Sequence, residues 1–272
     1  MKKRIIALLL ALAMLVGMFP VKIMATGGSG QVRVTVENNT YADGAWTGTL
    51  VDTWVDIDAS STAMTCLVAA LDAAGYTQTG AEDNYISEIN GLWAMSAGGM
   101  DGWMILVNDW FINTGAGAIT VADGTLESGD EIKIVYSMNA GEDYGGSWSN
   151  NDKTVNSLYL STGTLSPSFA GTTHEYTLTV SADTTSVVVT PSATNRNFQV
   201  RTAVEGTQYK RSAAIPVAEG TVITITCGDP SWPSMNNGDY GSGAESVPAE
   251  VYTITVEKEK AANPFGLSSL EI

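Results

Sequence analysis

The sequence predicts two folded units in series, an α+β unit followed by an all-β one. Three observations predict this. Residues 31–137 mix strand-like alternation with one helical stripe. Residues 138–156, MNAGEDYGGSWSNNDKTVN, are rich in Gly, Asn and Ser and read as a linker or long loop. Residues 157–258 carry strand signals only. A chain of 272 residues has room for two ordinary units once a leader is removed.

In the first unit QVRVTVEN alternates Val32, Val34 and Val36 and reads as a strand. A second strand is expected from about Asp52 to Ile57. Ser60-Ser61-Thr62 can cap a helix, and Gly75 can end it. Between them Met64, Leu67, Val68 and Leu71 fall at helical spacing and give one apolar stripe. Tyr85 to Ile89 reads as a short extended piece. In GGMDGWMILVNDWFINTG, Trp103, Ile105 and Val107 share one strand face, and Met104 and Leu106 the other. Asn108-Asp109 offers a tight turn, because both residues tolerate a positive φ. Trp110 to Ile112 returns. A hairpin apolar on both faces is expected where a helix covers one of them. After Ser128-Gly129-Asp130, EIKIVY supplies a further strand.

EINGLW at 88–93, GWMILVN at 102–108 and SGDEIKIVYS at 128–137 resemble the transcobalamin-like C-terminal domain family. That family has a Trp-Met-x-x-Val-Asn-Gly hairpin, then Gly-Asp and a last strand ending in Tyr. The resemblance covers about 31–137 and implies a β-grasp-related α+β fold, one helix on a mixed sheet. Asp109 stands where the family has Gly. In the second unit, SLYLSTGTLSPSF at 157–169, HEYTLTV at 174–180 and VYTITVEK at 251–258 resemble the bacterial cadherin-like β-sandwich family. The strands read from the residues agree: EYTLTV, SVVVTP, FQVRTAV, TVITITC and VYTITVE are short, β-branched and separated by turn residues. An all-β Ig/cadherin-like sandwich over 157–258 is therefore expected. The stretch 228–250, GDPSWPSMNNGDYGSGAESVPAE, is longer than the turn usual there. Ser269-Leu270-Glu271-Ile272 echoes Ser157-Leu158-Tyr159-Leu160, so the tail at 259–272 reads as the start of another sandwich module.

Residues 1–25 read as a secretory signal peptide. Lys2, Lys3 and Arg4 precede the apolar run Ile5–Met18, and Ile23-Met24-Ala25 supplies a cleavage site. The run is shorter than the ~20 residues of a spanning helix. Export to the bacterial cell surface or medium is expected, without membrane insertion after cleavage. Of 13 basic residues the leader takes four, which leaves nine against 29 acidic ones. Such a field repels nucleic acid and suits a solvated extracellular surface. The sequence has two cysteines. Cys227 shares the apolar side of TVITITC with Ile223 and Ile225, and Cys66 lies on the helix of the other unit, so two buried free thiols are expected rather than a bridge.

Catalytic constellations are missing from the pattern. A serine nucleophile needs a base within reach, and His174, the one histidine, sits at the polar start of a strand. One histidine and two distant cysteines do not make a zinc site. No phosphate-binding loop is present. The expected role is non-catalytic, ligand binding or adhesion, with an extracellular glycan, peptide or small molecule as partner. Further modules of the same polypeptide are additional expected partners. A structural spacer of a longer surface protein is the alternative. Corrinoid capture, cobalamin as ligand, is implied only by the first resemblance, and the helical barrel that completes such a site is not in the sequence. Aromatic density marks Trp93, Met100, Trp103 and Trp110 as candidate ligand contacts. A second set comes from two loops with echoing glycine-rich stretches, SMNAGEDYGGSW at 137–148 and SMNNGDYGSG at 234–243, the latter within 228–250: Tyr144, Trp148, Trp232 and Tyr240. Glu142, Asp143 and Asp239 could offer oxygens to calcium, although neither stretch has the spacing of a calcium loop.

Overall fold

The computed structural model describes residues 30–236 and 247–260. The signal peptide, Asp239, Tyr240 and the echo at 269–272 lie outside the described residues. The first sheet is mixed, with order β2-β1-β8-β6-β7. Its strands are β1 (Gly30–Asn38), β2 (Gly48–Ile57), β6 (Gly102–Val107), β7 (Trp110–Phe111) and β8 (Glu131–Ser137). β1 runs antiparallel to β2 and parallel to β8, and β8 runs antiparallel to β6. A small satellite sheet joins β3 (Gln78–Thr79), β4 (Glu88–Ile89) and β5 (Leu92–Trp93).

One helix, α1 (Ala63–Ala74), lies on this sheet. Its start is a capping box. Thr62 Oγ1 accepts the Thr65 N–H at 3.1 Å, and Thr65 Oγ1 accepts the Thr62 N–H at 2.9 Å. Gly75 ends it at φ 77°, where a side chain would be strained. Met64, Leu67 and Leu71 are buried as the stripe requires, and small Ala63, Cys66 and Ala70 widen the buried face. Against them stand Val32, Val34 and Val36, all fully buried.

The second unit forms two sheets. One has order β10-β11-β17-β16-β13-β14: β10 (Thr164–Ser166), β11 (Glu175–Val180), β13 (Val200–Val204), β14 (Thr207–Tyr209), β16 (Val222–Cys227) and β17 (Glu250–Lys258). The other is β15 (Ala214–Pro216), β12 (Ser186–Ala193) and β9 (Val155–Leu160). Alternate residues of each strand turn inward, and Leu178, Val189, Ile223, Ile225, Tyr252 and Ile254 share one apolar core.

The two cysteines are buried and unbridged, in separate cores. Burial pushes the Cys66 thiol up to about 11 and the Cys227 thiol up to about 12. We expect neither to react with an aromatic disulfide reagent at pH 8 in the native protein, and both to react on unfolding in denaturant; rapid native labelling of either would contradict the burial.

The hairpin of β6 and β7 is apolar on both faces, and each face has its own cover. Trp103, Val107 and Trp110 belong to the helix-side core. On the reverse, Leu106, Phe111 and Val135 are buried under Met104, Tyr144 and Met235. Met235 comes from the sandwich unit, so this face is covered across the junction. Burying Phe111 and Leu106 there contributes about 2–3 kcal/mol each. Residues 138–154 are therefore a packed loop between the units. Gly141, at φ 91°, is required within it: a Cβ there would lie 3.2 Å from the Phe111 ring.

Candidate functional site

Two places gather candidate residues: the outer tip of the first unit and the junction between the units. The tip is the loop 93–101. Its anchor is Tyr136, fully buried on β8, whose hydroxyl donates to the Asp101 carboxylate and lies 2.9 Å from the Trp93 carbonyl. The same oxygen accepts the Ser96 N–H at 3.3 Å, and Asp101 accepts the Ala97 N–H at 2.9 Å. Burial alone would raise the Asp101 carboxyl, but the bonds from Tyr136 and Ala97 outweigh it and hold it below the usual range. Burial, then the adjacent carboxylate, pushes the Tyr136 hydroxyl up to about 12.

This fastening leaves four large apolar side chains in solvent. Trp93 is 53% exposed, Met95 69%, Met100 64% and Trp148 37%. Two hydrogen bonds through Ala140 tie Met100 to Trp148: Ala140 N–H donates to the Met100 carbonyl at 3.0 Å, and the Trp148 indole Nε1 donates to the Ala140 carbonyl at 3.3 Å. The fold thus brings Met100 of the first candidate set beside Trp148 of the second, with Trp93 on the same loop as Met100. Met95 was not singled out in the sequence; its positive φ of 63°, which throws it outward, follows from the turn and not from any local pattern.

Trp103 is corrected from ligand contact to core. It is 7% exposed, stacks on Trp46 at 5.8 Å, meets Tyr136 edge-on at 5.1 Å, and donates its indole N–H to the Leu92 carbonyl. Trp110 is 8% exposed and donates Nε1 to the Asn197 carbonyl of the sandwich at 3.1 Å; only its border reaches a cleft. Tyr144 is half-buried, and its hydroxyl accepts the Asn39 N–H. Trp232 is half-buried beneath Arg201, 4.1 Å from the guanidinium. Asp143 accepts from Ser137 Oγ and the Met138 N–H, and Glu142 from Asn139 Nδ2. These carboxylates fasten their own loop. Among the described residues no group of three or more His, Cys, Asp or Glu side chains is placed to hold a metal ion.

The two echoing stretches do meet, at the junction. Asn236 Nδ2 donates to the carbonyls of Ser147 at 2.9 Å and Asn150 at 2.8 Å. Asn195, Asn197 and Asn236 are all buried, and Asn197 Nδ2 donates to Asn236 Oδ1. Each amide replaces water for a loop backbone that would otherwise be buried unpaired. Phe111 N–H donates to the Arg196 carbonyl at 2.9 Å. The turn Asn108-Asp109 has φ of 52° and 68°. Its Asp109 carboxylate faces Arg196 Nε at 3.2 Å and Arg211 Nη2 at 3.7 Å, both on the sandwich side. Lys210 adds bonds to Asp130 at 2.7 Å and Glu127 at 2.8 Å.

The match to known families follows the same division. Residues 154–259 match the model of the cadherin-like beta sandwich domain. A cadherin-like β-sandwich follows an α+β domain. Residues 60–137 match a domain of unknown function, DUF4430, the family of transcobalamin-like C-terminal domains. β1 and β2 precede the DUF4430-matched segment, yet they pair into its sheet through β8. No curated protein matches the chain. Asp109, one departure from the family patterns, falls at the junction, as does Asn236 in the long stretch after β16 of the cadherin-like sandwich.

Neither matched model describes an enzyme. His174 Nε2 lies 2.6 Å from Glu250 and its ring stacks on Tyr252 at 4.9 Å, a fastening of β17 at the sandwich surface. Among the described residues no helix is long and apolar enough to cross a membrane.

Proposed function

We propose that this is an exported, non-catalytic surface protein in which the tip of the α+β unit binds an extracellular glycan, peptide or small molecule. The single supporting observation is the exposure of Trp93, Met95, Met100 and Trp148 around one tightly fastened loop. Exposed apolar groups of that size on a hydrogen-bonded loop suit a contact surface. Flexible thioethers adapt to a partner's shape, and indoles stack on sugar or peptide planes. Glycan and peptide arrays probed with the leaderless chain test the reading. Trp93→Ala with Met100→Ala should weaken capture about tenfold or more, because two exposed contacts of about 1 kcal/mol each are lost. The melting temperature should not change. Capture unaffected by the double variant would remove the tip as the site.

The alternative of a structural spacer is favoured by the junction, where the ion pairs and buried amides tie the units together. Absence of capture on every array would leave that role standing. Corrinoid binding is the least supported reading; a shift in the visible spectrum of cobalamin on adding the protein would revive it.

A further inference from the structure

The junction encloses more than contacts. A cleft of about 620 Å³ opens between the units, floored by Val107, Trp110 and Ile119 and walled on the sandwich side by Arg201, Tyr209 and Pro233. That volume lies within the ~300–1,000 Å³ of small-ligand sites, which favour domain interfaces. In a chain of net charge −16 the lining is locally positive: Arg201, Lys210 and Arg211 against Glu127 and Asp130. Lys210 and Arg211 are answered by Glu127, Asp130, Asp109 and Glu131. Arg201 is not. Among the described residues no carboxylate pairs with it; Nε and Nη2 both donate to Gln199 Oε1, and its flat face rests on Trp232. This positions the guanidinium and leaves Nη1 for another acceptor. Burial draws its pKa down, and the Asp229 carboxylate offsets only part of this. Around it Thr114, Gln208 and the Tyr209 hydroxyl line the cleft with no hydrogen-bond partner among the described residues.

We infer that this cleft is a second binding site, for a small carboxylate-bearing polyol of mono- to disaccharide size. Arg201 takes the carboxylate, Thr114, Gln208 and Tyr209 take hydroxyls, and the apolar floor takes the C–H face. A purely apolar ligand would leave those three polar groups unanswered, and a cation would face Arg201 directly. The site is separate from the tip, so either can fail without the other.

The test uses tryptophan fluorescence of the leaderless chain, because Trp110 lines the cleft and Trp232 lies against its Arg201. D-glucuronate is the probe, with glucose and acetate as comparisons, to about 10 mM. A saturable change with glucuronate, about tenfold weaker with glucose, is expected. Arg201→Gln should lower glucuronate affinity about tenfold, Arg201→Lys less, and Gln208→Ala severalfold from the sandwich surface without touching the core. Trp93→Ala with Met100→Ala should leave glucuronate binding intact. The site is overturned by no saturable response to glucuronate, by glucose binding as well as glucuronate, or by Arg201→Gln and Gln208→Ala both binding as the parent does.

Discussion

Asp109→Gly is expected to lower the stability of the chain by about 2–3 kcal/mol and to loosen the sandwich from the α+β unit. The substitution isolates one interaction. Asp109 sits at φ 68°, a conformation glycine adopts more readily than aspartate, so the turn itself is relieved. What disappears is the carboxylate between Arg196 and Arg211. The Arg211 side chain is 12% exposed and that of Asp109 14%. Removing one partner of a largely buried pair strands the other charge, which is worse than never having had the pair. Arg211 keeps Glu131 at 3.5 Å and the Pro191 carbonyl, which limits the loss. Pairing Asp109→Gly with Arg211→Met should therefore recover part of it, because the more deeply buried of the two cations is no longer stranded. Denaturant unfolding reads the stability, and small-angle scattering reads the angle between the units. An unchanged midpoint and an unchanged scattering curve for Asp109→Gly would show that the ion pairs do not hold the junction.

The elements that local chemistry specifies were legible in the sequence. Thr62 and Gly75 bound the helix because a hydroxyl and a missing Cβ act within one turn, and the valines of β1 show their face by alternation. The hairpin was legible too, but the reason for its second apolar face was not. Leu106 and Phe111 are buried by Met104, Tyr144 and Met235, the last more than 120 residues away in sequence, and no local pattern encodes such a partner. Burial of Trp103 and the half-burial of Tyr144 and Trp232 arise in the same way. A signal did exist: an acid where the family turn has glycine, and a Ser-Met-Asn repeated in an over-long loop. Both are costly without a partner, and both proved to be junction residues. Exposure at the tip was half legible, since Trp93 and Met100 stood out by type, whereas Trp148 joins Met100 only through the Ala140 hydrogen bonds.

Tyr136→Phe should have the other large effect, about 2–4 kcal/mol of destabilisation at neutral pH, concentrated at the tip. The ring still fills its place beside Trp103 and Tyr41, so packing is nearly conserved. The hydroxyl is lost, and with it the donor to Asp101, a carboxylate 6% exposed whose Oδ1 already has no partner. An ionised buried carboxylate deprived of its strongest donor is destabilising. The pH dependence distinguishes this cause from lost packing. In the parent the Asp101 carboxyl is held low, so its contribution is complete above the unfolded value of about 3.9 and is lost as pH falls through the lower folded value. In Tyr136→Phe burial acts unopposed by that bond and the carboxyl moves up, so protonation relieves the variant where it harms the parent. The gap between the two proteins should be widest near pH 7 and narrow steadily below about pH 4. Amide exchange at Ser96 and Ala97 should quicken in the variant, since Ser96 loses its acceptor and Ala97 a fixed one. A stability gap independent of pH would assign the effect to packing and leave the tip without its electrostatic fastening.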